Sequence, residues 1–220
     1  TVGRYKTDLV KERMLDIDPD MDIRTYKCFF LPQNSSEFDF GCYDYVVDAV
    51  DTVTAKLELV KRCRDAGVPV ISSMGTGNKL DPSAFKIADI YETRICPLAK
   101  VMRKELTKSG IDSLKVVYSE EEPLNPSVMS GVQANENGRR AIPGSTAFVP
   151  PAAGLLNAAF IHAETVIGTT STQLCQLKSA SEFHSLDRGN AEKSMCQQTL
   201  DRVKPGFSHS CGNACYHTLK

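Results

Sequence analysis

The residues best suited to chemistry follow a short apolar run in the first quarter of the chain. Residues 45–50 are typical of a strand buried on both faces of a parallel sheet, and Asp51 and Thr52 come directly after them. Ligands of open α/β sheets bind beyond the carboxyl ends of strands, where Asp51 could hold Mg²⁺ beside phosphates. A second interpretation is that Asp51 or Thr52 only caps the helix that begins near Val53. Asp48, inside the run, is predicted to be structural or to support a ligand-binding residue from behind.

Two further segments could border a phosphate. Lys6 stands where a helix is predicted to begin; the free N–H groups of such an end attract anions, although a lysine there is more often simply solvated. The loop after the next predicted strand contains Gly75, Gly77 and Asn78. Glycine lets a ligand approach the backbone closely, but it is equally an ordinary turn residue, and this loop is not a GxGxxG fingerprint.

A stripe of basic side chains follows a predicted helix and the residues just before it. Such a stripe could contact the phosphates of RNA, and it could equally be the solvated face of a helix. The net charge of −1 argues against nucleic-acid binding by bulk electrostatics but allows a local basic face. The stripe consists of Arg94, Lys100, Arg103, Lys104 and Lys108.

The C-terminal tail contains a candidate metal site. His209, Cys211, Cys215 and His217 lie within nine residues, and all are side chains that bind zinc. The CxxxC spacing is unusual for structural zinc, and the surrounding residues include few that could build a core. The four N-terminal cysteines stand singly among apolar or helical neighbours, which favours a reduced, cytoplasmic protein.

The elements that position these residues follow from apolar periodicity. A strand, a helix and a strand occur within about 30 residues, which is typical of a βαβ crossover in a doubly wound, Rossmann-like α/β sheet. The predicted strands are 23–31, 45–50, 68–72, 88–93 and 114–118. The predicted helices are 6–15, 53–64 (closed by Gly67) and 97–108. A further helix is predicted to begin at Pro150, with Leu155, Leu156, Ala159 and Val166 on one face.

The 220 residues divide into an ordered part and a polar part. We expect residues 1–168 to form the α/β domain, with a surface loop between about 120 and 140. Residues 169–220 are rich in Ser, Gln, Lys and His and are predicted to be largely disordered. No run approaches the ~20 apolar residues that a membrane span requires.

Several segments, in order, resemble one family. Residues 2–8 (VGRYKTD), 12–19 (ERMLDIDP), 44–52 (DYVVDAVDT) and 67–75 (GVPVISSMG) resemble the ThiF/MoeB-like adenylating enzymes. Downstream segments are similar to the tRNA threonylcarbamoyladenosine dehydratases of that class. They are 79–83 (KLDPS), 87–90 (IADI), 96–98 (CPL), 103–106 (RKEL), 117–123 (VYSEEEP) and 144–154 (GSTAFVPPAAG).

The resemblance implies an enzyme that uses ATP and Mg²⁺ to adenylate the carboxylate of a threonylcarbamoyl group on a tRNA adenosine. Neighbouring atoms then close a ring and expel AMP. By position, Lys6 would neutralise the triphosphate and Asp51 would hold Mg²⁺, while Thr52 and the loop with Gly75, Gly77 and Asn78 would border the nucleotide. The basic stripe would face the tRNA. A homodimer is also implied, located in the cytoplasm or, in a eukaryote, in mitochondria.

The sequence departs from the family pattern in one element. The family's glycine-rich GxGGVG loop precedes the segment that matches Gly3, and this loop is not in the sequence. We therefore expect the 220 residues alone to be catalytically weak. Two other hypotheses stay open: a sibling enzyme that activates a ubiquitin-like or sulfur-carrier protein, and a non-catalytic partner of an intact subunit.

Overall fold

The computed structural model describes residues 2–124 and 143–165. Its α-helices are α1 (Lys6–Ile17), α2 (Val53–Ala66), α3 (Pro97–Lys108) and α4 (Val149–Thr165). Strands β1 (Val46–Asp48), β2 (Val70–Ser73), β3 (Phe85–Asp89) and β4 (Lys115–Ser119) form one sheet in the order β1-β2-β4-β3. The strands β1, β2 and β4 are parallel, and β3 is antiparallel to β4. The predicted α/β fold is confirmed.

The β1-α2-β2 unit forms as its sequence predicts. Gly67 ends α2 in the left-handed conformation, with φ of 68°, and its N–H donates to the carbonyl of Arg64 at 3.0 Å. Glycine adopts this conformation without the steric penalty of a Cβ, so the chain can turn back at once into β2. β2 then pairs in parallel with β1, with Asp48 opposite Ser72.

Two clusters of buried side chains hold the helices on the sheet. The larger one joins α3 to the sheet through Met102 and Leu106, which pack with Val116 and Tyr118 of β4. The smaller one contains Phe30, Phe40, Val46, Ala55, Leu59 and Cys63. Burial of each large apolar side chain contributes roughly 1.5–3 kcal/mol, so these clusters fix the sheet whose edge carries the candidate residues.

Two predicted strands differ from the structure. Residues 23–31 are not a strand, because no described segment runs beside them to form a ladder, although Ile23 and Phe30 are buried as a strand pattern would suggest. The strand predicted at 88–93 is displaced: β3 ends at Asp89, and Ile90–Glu92 form a short 3₁₀ helix that begins with a capping box at Asp89. The Asp89 carboxylate accepts the N–H of Tyr91 at 2.9 Å, and this cap ends the strand.

The predicted inner face of α4 is wrong. Leu155 is 72% exposed, whereas Val149, Ala153 and Asn157 are buried. The helix is apolar around most of its circumference, so periodicity could not select the face that packs. The proposed boundary at residue 168 and Val166 lie outside the described residues.

No helix among the described residues is long and apolar enough to cross a bilayer.

Candidate functional site

The carboxyl ends of β1 and β2 bring Asp51 and Gly75 to one edge of the sheet. Asp48 is paired with Ser72 in the parallel ladder. Asp51 and Gly75 each follow these residues by three positions, so both lie just beyond the same edge of the sheet. Both Asp51 and Gly75 are exposed. This is the edge at which open α/β sheets bind their ligands.

Thr52 takes the N-cap position of α2, as the capping interpretation required, but its hydroxyl makes no cap hydrogen bond. Its backbone carbonyl accepts the N–H of Lys56 at 3.0 Å, so the helix begins normally without the side chain. Within the described part of the chain, neither Asp51 nor Thr52 has a side-chain hydrogen bond or ion pair. Their oxygens are therefore available to a cation or a nucleotide.

A buried polar cluster lies directly beneath this edge. The amine of Lys56 lies 3.1 Å from Oδ2 of Asp48, 3.4 Å from Oγ of Ser72 and 2.7 Å from the carbonyl oxygen of Ser73. The Ser72 hydroxyl donates to the same Asp48 oxygen. Asp48 and Lys56 are 0% and 1% exposed as side chains, so each charge depends on the other for compensation.

Asp48 thus has a structural role, one of the two predicted for it, but the sequence interpretation missed Lys56 as its partner. The signal was present in the helix pattern. Lys56 shares a helical face with Val60 and Cys63, four and seven positions on, and both are buried. A lysine on an apolar face requires a buried anion, and Asp48 is the one the fold supplies. Desolvation, with a smaller effect from Asp48, raises the pKa of the Cys63 thiol to about 12.

The glycine loop after β2 is engaged by the chain itself. A Cβ on Gly77 would lie 2.8 Å from Cβ of Pro143, so glycine is needed for this close approach. Asn78 has φ of 58°, its N–H donates to the carbonyl of Gly144 at 2.8 Å, and its carbonyl accepts the N–H of Leu124 at 2.7 Å. The structure thus uses Gly77 and Asn78 for intrachain contacts, and a nucleotide contact by either remains a prediction.

Glu121, which the sequence interpretation also missed, ties the end of β4 to the same loop. Its carboxylate accepts the N–H groups of Leu80 at 2.8 Å and Asp81 at 3.0 Å. The amine of Lys79, which is 2% exposed, donates to the carbonyl of Glu121. The loop that leaves β2 is thereby held to the segment that follows β4.

Lys6 is the first residue of α1 and is exposed. Its amine makes no hydrogen bond or ion pair with any residue in the described ranges. α1 is anchored further along, where the amine of Lys11 donates to the carbonyl of Ile23 at 2.8 Å and Asp8 lies 2.9 Å from the amine of Lys27. The predicted convergence of Lys6 with Asp51 remains a prediction.

The predicted basic stripe contains one side chain that makes hydrogen bonds to the backbone of the fold and four that are exposed to solvent. Arg103 is half-buried, and its guanidinium donates to the carbonyls of Ile90 and Thr93 at 3.2 and 3.0 Å, so it braces the loop ahead of α3. The other predicted members are exposed: Arg94, Lys100, Lys104 and Lys108.

α2 carries a further exposed lysine, Lys61. A hydrogen bond from Lys108 lowers the pKa of Glu105, and the charges of Lys108, Lys104 and Lys61 lower it further. The charge of Lys61 on α2 therefore acts on the same carboxylate of α3 as those of Lys104 and Lys108.

The exposed carboxylate of Asp51 at this edge suits a metal ion that is bound together with a nucleotide. No three His, Cys, Asp or Glu side chains within residues 2–124 and 143–165 come close enough together to hold a metal ion by themselves. A single exposed carboxylate such as Asp51 suits Mg²⁺, which usually takes one or two protein carboxylates and completes its shell with phosphate oxygens and water. The zinc candidates His209, Cys211, Cys215 and His217 lie outside the described residues.

Comparison with known proteins agrees with this fold. A tRNA threonylcarbamoyladenosine dehydratase of Bacillus subtilis is 42% identical over 163 residues, which cover 71% of this chain and 64% of that protein. The chain therefore spans less than two thirds of the length of this relative.

Two crystal structures of the E. coli tRNA N6-threonylcarbamoyladenosine dehydratase share the fold. The complex with AMP gives a TM-score of 0.61 at 24% identity, covering 72% of this chain and 63% of that one. The complex with ATP gives a TM-score of 0.54 at 23% identity, and the match covers 73% of this chain and 67% of that one. The sequence model of the ThiF family matches residues 1–180, which is most of the chain. The chain belongs to the ThiF family.

Proposed function

We propose that the protein takes part in the ATP-dependent dehydration of threonylcarbamoyladenosine in tRNA through a carboxyl-adenylate. The observation that carries the proposal is the shared position of Asp51 and Gly75 at the carboxyl edge of β1 and β2, set by the pairing of Asp48 with Ser72. The 42% identity to the Bacillus subtilis dehydratase supports this carboxylate as the substrate.

The proposed reaction has two displacements. A carboxylate oxygen of the threonylcarbamoyl group attacks the α-phosphate of ATP, and pyrophosphate leaves. A neighbouring nucleophilic atom of the same modification then attacks the activated carbonyl, closes a ring and releases AMP, so the oxygen lost from the carboxylate departs on the phosphate. Both steps depend mainly on charge stabilisation and on positioning of the reacting groups.

The chain's own residues have distinct proposed roles. Asp51 would hold Mg²⁺, which would neutralise charge on the phosphates when bound. Thr52 would place its hydroxyl beside the nucleotide, and the exposed backbone at Gly75 would allow close approach. Lys6 would add a positive charge for the phosphates at the N-terminus of α1, where helix N–H groups already favour anions.

We assign the tRNA contact to the exposed basic face formed by Lys61, Lys100, Lys104 and Lys108, which we call the α2/α3 basic face. Four exposed lysines on two adjacent helices suit a phosphate backbone, which is recognised by charge rather than by base sequence. Arg94 is exposed ahead of α3 and could extend this face.

The test is calorimetric titration of the chain with ATP and Mg²⁺. We expect binding that is lost in Asp51→Ala and kept in Asp112→Ala, which removes an exposed carboxylate from the loop entering β4 at the opposite edge. Any release of AMP, which we expect to be weak in these 220 residues alone, should then require tRNA that carries threonylcarbamoyladenosine. Binding that survives Asp51→Ala would refute the assigned site, and AMP release without the modified tRNA would refute the substrate.

The proposal includes a homodimer, as the family resemblance implies. Sedimentation equilibrium of the purified chain tests it, and a single species at the monomer mass of 24.1 kDa across the micromolar range would contradict it.

A further inference from the structure

Lys56 joins the ends of the two strands that carry the candidate site. Its amine contacts Asp48 Oδ2 on β1 at 3.1 Å and the Ser73 carbonyl on β2 at 2.7 Å, and the side chain is 1% exposed. A buried ammonium with three oxygen neighbours is held in one place, because leaving any of them unpaired would be costly. The amine therefore ties together the ends of two strands that the parallel ladder has already placed side by side.

The same carboxylate that receives this amine also shapes the turn leading to Asp51. Oδ1 of Asp48 accepts the N–H of Val50 at 3.1 Å, while Oδ2 is occupied by Lys56 and Ser72. A side-chain acceptor two residues before an N–H is an Asx-type turn, which fixes the local backbone direction. Asp51 is the next residue, so its direction depends on the orientation of Asp48.

On the β2 side, the contact lies immediately before the exit to Gly75. Lys56 holds the Ser73 carbonyl, and the N–H of Met74 donates to the carbonyl of Val117 at 2.8 Å, so the backbone is fixed up to this point. One side chain thus controls both points at which the proposed site residues leave the sheet.

We propose that Lys56 is a positioning residue that sets Asp51 relative to Gly75 for the metal–nucleotide complex. The identity of the ligand as a metal–nucleotide complex rests on the proposed function, whereas the positioning of Asp51 relative to Gly75 by Lys56 does not. Stability alone would not require this arrangement, because a buried ion pair can often be replaced as a whole, both partners together, by well-packed apolar side chains with little loss.

The geometric part is tested by amide hydrogen exchange at Val50, measured by NMR in the ligand-free chain. The variants are Lys56→Met and, in case that variant does not fold, Lys56→Gln, which keeps a donor but not the charge. Arg62→Met is the matched control, since it removes another cation of α2 that pairs with Glu58 away from the sheet edge. We expect Val50 to exchange at least about tenfold faster in the Lys56 variants than in the control. Equal rates would overturn the inference.

The functional part is tested by a double-mutant cycle on the affinity for ATP with Mg²⁺. In the chain that retains Asp51, Lys56→Met should weaken ATP binding about tenfold. In the Asp51→Glu background it should weaken binding less than about twofold, because the longer glutamate side chain no longer depends on the turn for its position. Equal losses in both backgrounds would make Lys56 merely structural. If the unmutated chain binds no ATP, the proposed function fails, and the exchange measurement alone decides the positioning role.

Discussion

Asn78 and Gly144 exchange two hydrogen bonds. The N–H of Asn78 donates to the Gly144 carbonyl at 2.8 Å, and the N–H of Gly144 donates to Oδ1 of Asn78 at 2.7 Å. The Asn78 carbonyl also accepts the N–H of Leu124 at 2.7 Å. One residue with φ of 58° thus fixes two chain segments that are distant in sequence.

Replacing Asn78 should separate the effect of its backbone from that of its side chain. Asn78→Gly keeps the left-handed conformation and loses only the side-chain acceptor, so we expect a loss of about 1 kcal/mol. Asn78→Ala adds the steric penalty of that conformation, for a total of about 2–3 kcal/mol. Urea unfolding measures both, and an alanine variant as stable as the glycine variant would contradict the backbone argument.

Gly77 and Gly75 should respond differently to the same change. Gly77→Ala places a methyl group 2.8 Å from Pro143, so we expect a loss of about 1–3 kcal/mol in unfolding free energy. Gly75→Ala meets nothing closer than Leu98 Cδ2 at 4.0 Å, so its stability should be unchanged while its affinity for ATP falls. Thermal unfolding and calorimetry distinguish the two, and unchanged affinity in Gly75→Ala would remove this residue from the site.

Arg103 and Lys104 are neighbours with different predicted roles. Arg103→Met removes charged hydrogen bonds to Ile90 and Thr93, so it should lower stability by about 1.5–3 kcal/mol. Lys104→Met should leave stability unchanged, weaken tRNA binding and reduce the slope of log affinity against log salt by about 0.7–0.9. Filter binding at several salt concentrations is the measurement. An unchanged slope in Lys104→Met would place the tRNA elsewhere.

Glu58 should make stability depend on acid pH. The Ser35 hydroxyl, 2.6 Å away, and then Arg62 hold the pKa of Glu58 below its ordinary value of 4.5. Because the folded pKa is lower than the unfolded one, the stabilisation is complete above about pH 4.5 and is lost as pH falls through the folded value. Glu58→Gln should therefore be less stable than the unmutated protein at pH 7, and this difference should shrink at pH 3.5.

The control for the acid measurement is Glu37→Gln, which changes an exposed carboxylate. Its stability difference should stay small at both pH values in urea unfolding. A deficit of Glu58→Gln that is the same at pH 7 and pH 3.5 would contradict the assigned role of the carboxylate.

Ile95 carries local strain that can be relieved. Its φ is 65° and its side chain is 52% exposed, so a β-branched residue adopts a left-handed backbone without compensating burial. Ile95→Gly should raise the unfolding free energy by about 1 kcal/mol. Val10→Gly is the matched control, because Val10 is also β-branched and exposed but lies inside α1, where glycine should destabilise. Destabilisation at both positions would refute the strain.

The sequence was informative where local patterns decide structure. The helices 53–66 and 97–108 and the strands around 46 and 70 follow from periodicity and from the Gly67 cap, and these place Asp51 and Gly75 at one edge. The helix pattern places Lys56 on the buried face of α2. Its contact with Ser73 and the contact of Glu121 with Leu80 could not be predicted this way, because these partners are 17 and 41 residues distant in sequence.

The position of β4 between β2 and β3 has a consequence for synthesis on the ribosome. Among the strands of the described residues, β3 pairs only with β4, and its contacts run from Phe85 opposite Ser119 to Asp89 opposite Lys115. A nascent chain that has emerged only as far as α3 therefore holds β3 without its partner, and at ~5–20 residues per second this interval lasts on the order of seconds. During that interval β3 is an unpaired strand that a chaperone could protect.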